Sequence, residues 1–144
     1  MHNKIEKIYV SRYMMYQKAI LFNDTGIASK ILQTTSPKEQ KALGRMVSNF
    51  DNAVWLENRE RIVRDGSYYK FKFGKDTDGV SLKEKLLATG DKGLVEASPR
   101  DRIWGIGYGE KNALNMKEKW GLNLLGKALI WAREKIRQEE NEGK

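Results

Sequence analysis

Apolar residues recur at helical spacing over most of this chain, and the exceptions are as informative as the rule. Residues 9–22 hold Tyr13, Met14, Tyr16, Ala19, Ile20, Leu21 and Phe22 with little polar face, which predicts a buried helix. Lys18 inside that helix has two possible fates: its ammonium reaches an anion or a wet cavity, or its stem snorkels to the surface. A short second helix is predicted over residues 26–33. Ser36-Pro37-Lys38-Glu39 is a capping box with proline at the first helical position, so a third helix starts there and stops near Gly44. Residues 49–55 read as a loop feeding a longer helix that runs to about Tyr69, capped by Asp51 or Asn52, with Ile62 and Val63 facing inward.

Ser81-Leu82-Lys83-Glu84 repeats the capping box and opens a helix that Gly90 closes, while the polar stretch from Gly74 to Gly79 is a surface loop. Leu94 to Ala97 is a short strand. The last helix has the cleanest period, with Leu122, Leu125, Leu129, Ala132 and Ile136 on one face and basic residues toward its C-terminal end. The pattern predicts an α+β class: a mostly helical single domain over residues 1–144, with a few short strands and no internal repeat.

Composition narrows the chemistry. A chain of 144 residues suits one core. With no cysteine there is no disulfide, thiolate nucleophile or cysteine-held zinc, and with His2 as its one histidine, near the terminus, a Ser-His-Asp triad or histidine metal site is excluded. The N-terminus mixes Lys4, Glu6 and Lys7 with isolated apolar residues, and no run approaches the roughly 20 apolar residues that span a bilayer. The expected protein is soluble and cytoplasmic, with no membrane partner. Twenty-seven Lys and Arg against nineteen Asp and Glu, a net charge of +8, bias partners toward phosphates, nucleotides or nucleic acid. The basic residues are scattered, and many, such as Lys83, Lys85, Arg133, Lys135 and Arg137, fall on predicted solvated helix faces. That scatter argues against a dedicated nucleic-acid-binding domain.

The densest chemistry lies in Leu94-Val-Glu-Ala-Ser-Pro-Arg-Asp-Arg-Ile-Trp-Gly-Ile-Gly107, with two carboxylates, two guanidiniums, an indole and two glycines. Loops on a rigid scaffold aim such groups at ligands. Gly105-Ile-Gly-Tyr-Gly109 misses both the dinucleotide and the phosphate-loop spacing, so its glycines serve close backbone approach to a ligand or a sharp turn. Trp104 is either a stacking platform for a flat ring or a buried indole, whereas Trp131 on the last helix reads as core. Asp101 is either a working carboxylate or a loop cap and partner to Arg100 or Arg102.

Taken in order, Tyr13-Met-Met-Tyr-Gln-Lys-Ala-Ile-Leu-Phe-Asn-Asp24, Leu43-Gly-Arg45, Phe50-Asp with Trp55, Lys70-Phe71, Leu86-Leu-Ala-Thr-Gly90, Leu94-Val-Glu-Ala-Ser-Pro, Asp101-x-x-Trp-Gly-Ile-Gly107 and Asn123-x-Leu-Gly126 resemble the NADAR family, the YbiA-like N-glycosidases. The resemblance runs from about residue 9 to 135. It implies a compact, mainly helical fold and hydrolysis of the N-glycosidic bond of a phosphoribosylated or ADP-ribosylated base. The substrates it implies are early riboflavin-biosynthesis intermediates or ADP-ribosyl conjugates, with ADP-ribosylated nucleic acid as a possible partner and no metal or organic cofactor. Lys18, Arg45, Trp55, Trp104 and Asn123 match its ligand-binding positions, and Asp101 and Glu96 its acidic ones, taken as catalytic.

Such a bond breaks through an oxocarbenium-like state that calls for a carboxylate and a positioned water. Lys18 and Arg45 would hold phosphate, Trp104 or Trp55 would stack on the base, and Asn123 would bond a ribose hydroxyl or merely cap the last helix. The chain departs from the family in three ways. Ser11 stands where members carry glutamate two positions before the residue aligned with Tyr13, Leu122 replaces a polar residue, and the family's N-terminal segment has no counterpart. These departures imply an alternative: a non-catalytic ADP-ribose or NAD-binding module.

Overall fold

The computed structural model describes the backbone of residues 7–143 and the side chains of residues 12–143. Among the described residues the secondary structure is almost wholly helical: six α-helices and one 3-10 segment. No helix among them is long and apolar enough to cross a membrane. The chain divides into two compact units, the first ending at Gly66 and the second starting at Ser67. His2 lies outside the described residues, as does the side chain of Ser11.

The first unit holds α1 (Lys7–Leu21), α2 (Thr25–Gln33), α3 (Pro37–Arg45) and the start of α4 (Asn52–Phe73). Each begin signal works as local chemistry dictates. Asp24 caps α2 by accepting from Ile27 N at 3.0 Å, Ser36 caps α3 by accepting from Glu39 N at 3.3 Å, and Asp51 accepts from Ala53 N and Val54 N at the head of α4. Met15, Ala19, Phe22, Ile27, Ala28, Ile31 and Val47 form the core, with Leu43, Val54 and Trp55 packed against it. Helix α1 is not buried all round: Tyr13, Met14, Tyr16 and Lys18 are partly exposed and Ile20 is exposed. The apolar residues on its second face are mostly aromatic or Met, types that tolerate a half-wet surface.

The second unit takes the rest of α4, α5 (Leu82–Leu87), the 3-10 segment Leu114–Lys119 and α6 (Leu124–Glu142). Its core joins Tyr68, Phe71, Leu82, Leu86, Leu94, Leu129, Ala132 and Ile136, with Trp131 packed on its flank. Helix α4 runs past Tyr69 to Phe73 and ends at Gly74, where a Cβ would sit 2.5 Å from the Lys70 carbonyl oxygen. Ser81 caps α5, accepting from Glu84 N, and Gly90 follows at φ +62°, as a helix stop requires. The loop of residues 74–79 is pinned by Lys85, whose ammonium bonds Asp76 at 2.7 Å and Asp78 at 3.0 Å.

Four expectations fail. Residues 94–97 form no strand, and the lone β-bridge among the described residues joins Lys75 and Ser81, so the α+β class reduces to a mostly helical one. Leu122 lies outside α6 and is exposed; Leu124 and Ala128 take its place on the buried face. Arg133 is not solvated but only 3% exposed, its guanidinium donating to Thr89 Oγ1 at 2.9 Å and Lys92 O at 2.8 Å. The last turn of α6 carries no basic residue, so its terminus lacks the expected cation.

Candidate functional site

The predicted site residues fall into two groups, one in each unit. In the first unit, the chain leaves α1 through Asn23, a left-handed residue at φ 58°. Asp24 follows, one carboxylate oxygen capping α2 and the other accepting from Ser48 N at 2.9 Å. Those two backbone bonds are the main reason its carboxyl titrates below the ordinary aspartate range. The bond to Ser48 holds the turn after α3 against the end of α1. Asn49, left-handed at φ 60°, then delivers Phe50 edge-on to Phe22 with ring centroids 5.4 Å apart.

The Lys18 ammonium lies 4.7 Å from the centroid of Phe50 and 5.6 Å from that of Trp55, within cation–π range of both. Burial, and after it the positive charge of Arg45, depress the Lys18 pKa below that of an ordinary lysine. An ammonium that has lost water and faces a second cation is short of negative charge, and an arriving anion would supply it. Arg45 is exposed and Phe50 is 45% exposed, so the group is open to solvent. Lys18 thus lies beside Trp55 and Phe50 and feels the charge of Arg45. Phe50 was missed as a contact, and its sequence signal was weak: an aromatic in a short polar turn.

In the second unit, backbone hydrogen bonds assemble Glu96, Asp101, Trp104 and Asn123 into one cluster. Asp101 turns the loop, its Oδ1 accepting from Ile103 N at 3.0 Å and Trp104 N at 2.8 Å. The carbonyls of Arg102, Ile103, Trp104 and Gly105 then accept from the amides of Leu122, Leu124, Leu125 and Asn123, and Gly121 N bonds Ile106 O. The loop therefore lies against the entry to α6 and takes up that helix's first N–H groups. Such close approach needs glycine. A Cβ on Gly105 would meet Glu96 O at 2.7 Å and Asp101 O at 2.9 Å, and one on Gly121 would meet Arg102 O at 2.3 Å. Gly107, at φ +82°, satisfies both demands, since a Cβ there would strike the Arg102 side chain at 2.7 Å.

Glu96 is only 4% exposed, its Cγ 3.2 Å from where a Gly105 Cβ would stand. Asp101 and Trp104 are partly buried. Arg102 donates to Lys119 O at 2.8 Å and lies over the Tyr108 ring. Asn123 occupies the position before α6 yet makes no capping bond. Its Oδ1 instead accepts from Glu96 N at 3.0 Å and its Nδ2 donates to Leu94 O at 2.9 Å. This arrangement also explains the missing strand: one side-chain amide satisfies the polar groups that a neighbouring strand would have paired. The cluster places Glu96, Asp101 and Trp104 on one hydrogen-bonded loop.

Comparison with known proteins identifies the family. The NADAR domain pattern matches residues 3–137. An N-glycosidase of Acanthamoeba polyphaga mimivirus is 42% identical over 135 residues, covering 92% of this chain and 76% of that protein. An N-glycosidase of Nostoc punctiforme is 36% identical over 128 residues, 89% of this chain and 73% of that one. A riboflavin biosynthesis protein of Vibrio vulnificus is 29% identical over 123 residues, 85% of this chain and 30% of that one. The chain belongs to the NADAR domain family.

Proposed function

We propose that this chain is an N-glycosidase that hydrolyses the bond between a nitrogen base and a phosphorylated ribose. The observation behind the reading is that hydrogen bonds hold Glu96, Asp101 and Trp104 in one loop cluster. Loss of the base leaves an oxocarbenium-like sugar, and a carboxylate both stabilises that cation and draws a proton from the attacking water. Asp101 takes this role: one of its oxygens holds the loop, which fixes the direction of the other. Glu96 is the second carboxylate, and Trp104 stacks on the departing base. Within the first unit, Lys18 and Arg45 are the candidates for holding phosphate, with Phe50 and Trp55 beside the ammonium. Two relatives named N-glycosidases, at 42% and 36% identity, support the reaction class.

The substrate is a phosphoribosylated early riboflavin intermediate or an ADP-ribosyl conjugate. The relative named for riboflavin biosynthesis supports the first, and the paired cations fit the diphosphate of the second. Ser11, where the family carries glutamate, favours a second reading as an ADP-ribose or NAD-binding module without turnover. Incubating the purified chain with a panel of phosphoribosyl amines and ADP-ribosyl conjugates, with mass detection of released ribose phosphate, separates the two. Turnover that falls about 1,000-fold in Asp101→Asn or Glu96→Gln supports the hydrolase, within the range for a lost general acid or base. ADP-ribose binding with no product from any member of the panel supports the binding module.

A further inference from the structure

We infer that Asn123 is a positioning residue that fixes the backbone of Glu96, and not a contact to the substrate. The inference rests on the reading of Glu96 as a working carboxylate and adds to it the part that aims the group. Asn123 is a non-glycine residue in the left-handed region, at φ 52° and ψ 43°, a conformation that asparagine tolerates better than most residues but still at a cost. An asparagine before a helix ordinarily offsets that cost by capping. Here the first N–H groups of α6 go to Ile103 O and Trp104 O, and the side chain makes no cap. It is released to do something else.

Both ends of the amide go to the backbone on either side of Val95. Nδ2 donates to Leu94 O at 2.9 Å and Oδ1 accepts from Glu96 N at 3.0 Å, the pattern with which a neighbouring peptide group would pair an extended chain. The Glu96 carbonyl is held as well, accepting from Ile106 N at 3.0 Å. With both its N–H and C=O fixed, Glu96 has a set Cα–Cβ direction, and its buried side chain is constrained at the root. Gly126 makes the bridge possible. A Cβ there would stand 2.2 Å from Leu94 O and 2.3 Å from Asn123 Nδ2, so only a bare Cα lets the amide reach across. The family-like Asn-x-x-Gly spacing thereby acquires a mechanical reason: the asparagine bridges and the glycine clears its path.

The test uses Asn123→Gly, which keeps the left-handed backbone and deletes the bridge, and Asn123→Asp, which keeps the acceptor for Glu96 N and loses the donor to Leu94 O. Three readouts are taken on the intact chain: hydrogen exchange at the Glu96 amide, kcat, and KM. The expected result for Asn123→Gly is loss of protection at Glu96 with α6 still protected, and kcat down about 100-fold with KM within threefold, as for a catalytic group displaced by a fraction of its reach. Asn123→Asp should fall between Asn123→Gly and the unaltered chain in kcat, which keeps the inference testable if the glycine variant folds poorly. A raised KM with unchanged kcat would make Asn123 a ligand contact and overturn the inference. So would full activity in Asn123→Gly when Glu96→Gln is inactive. If Glu96→Gln itself retains full activity, the reading of Glu96 fails, and the inference falls with it for a different and identifiable reason.

Discussion

The two groups of candidate residues are built by opposite means. In the first unit, Lys18, Phe50 and Trp55 project from helices and a turn, and the ammonium meets the two rings by side-chain contact. In the second, Asp101, Asn123, Gly105, Gly121 and Gly126 are themselves the scaffold, because their backbones and short polar side chains hold the loop in shape. The contrast teaches where chemistry and stability are separable. Removing a charge from the first group should alter binding and leave the fold intact, whereas nearly any change in the second alters both.

The sharpest break of that contrast is Gly126→Ala. At an ordinary interior helix position this substitution gains up to about 1 kcal/mol, since alanine is the better helix former. Here the new methyl would overlap a backbone carbonyl that cannot swing aside, and overpacking against fixed atoms costs about 3 kcal/mol. The expected outcome in a thermal melt is a Tm lower by roughly 10 °C at this chain length. An unchanged or higher Tm would mean that the Leu94 segment yields easily and that the second group is softer than its hydrogen bonds imply.

Next in size are Lys18→Met and Arg45→Ala. Lys18 is partly buried, lacks full hydration and feels Arg45, so replacing it with an apolar chain of similar length should leave Tm the same or slightly raised. Affinity for ADP-ribose, measured by calorimetry, should drop tenfold or more in each variant, from loss of an interaction worth about 1.5–3 kcal/mol. A large fall in Tm with unchanged affinity would place these cations with the scaffold and erase the distinction.

How much of this was legible in the sequence follows the same division. The capping boxes at Ser36 and Ser81 were readable because a cap is local: a hydroxyl and an amide three residues apart suffice. Residues 94–97 were misread as strand because a short, mostly apolar run does not reveal its partner, which is a single amide 27 residues away in the chain. Arg133 looked solvated for the same reason, since no periodicity reveals that Thr89 and Lys92 O surround its guanidinium. The residue types allowed Asp101 to turn a loop and Asn123 to cap the last helix; Asp101 does turn the loop, while Asn123 bridges backbone instead. Residue types marked the candidates, and long-range backbone pairing decided what each of them holds in the fold.

The smallest expected effect is a pH dependence of binding, and its sign is fixed by Lys18. In the unliganded protein, burial and Arg45 hold its pKa below the ordinary 10.5. A bound diphosphate would favour the ammonium and raise that pKa again, so the complex holds the proton more tightly than the free protein does. ADP-ribose affinity should therefore be full below the depressed pKa of the free protein and weaken as pH climbs from there to the higher pKa of the complex. The onset comes earlier than for an exposed lysine, and the total loss is smaller than in Lys18→Met because the neutral amine still donates a hydrogen bond to phosphate. The same shift acts on folding with the opposite sense: the unfolded chain binds this proton more tightly, so the Lys18 contribution grows more favourable as pH rises through the lowered value. Calorimetric titrations between pH 7 and pH 10 should trace the binding limb, and in Lys18→Arg it should vanish, since a guanidinium does not titrate there. A limb that persists in Lys18→Arg would belong to another group and would detach the ammonium from the anion.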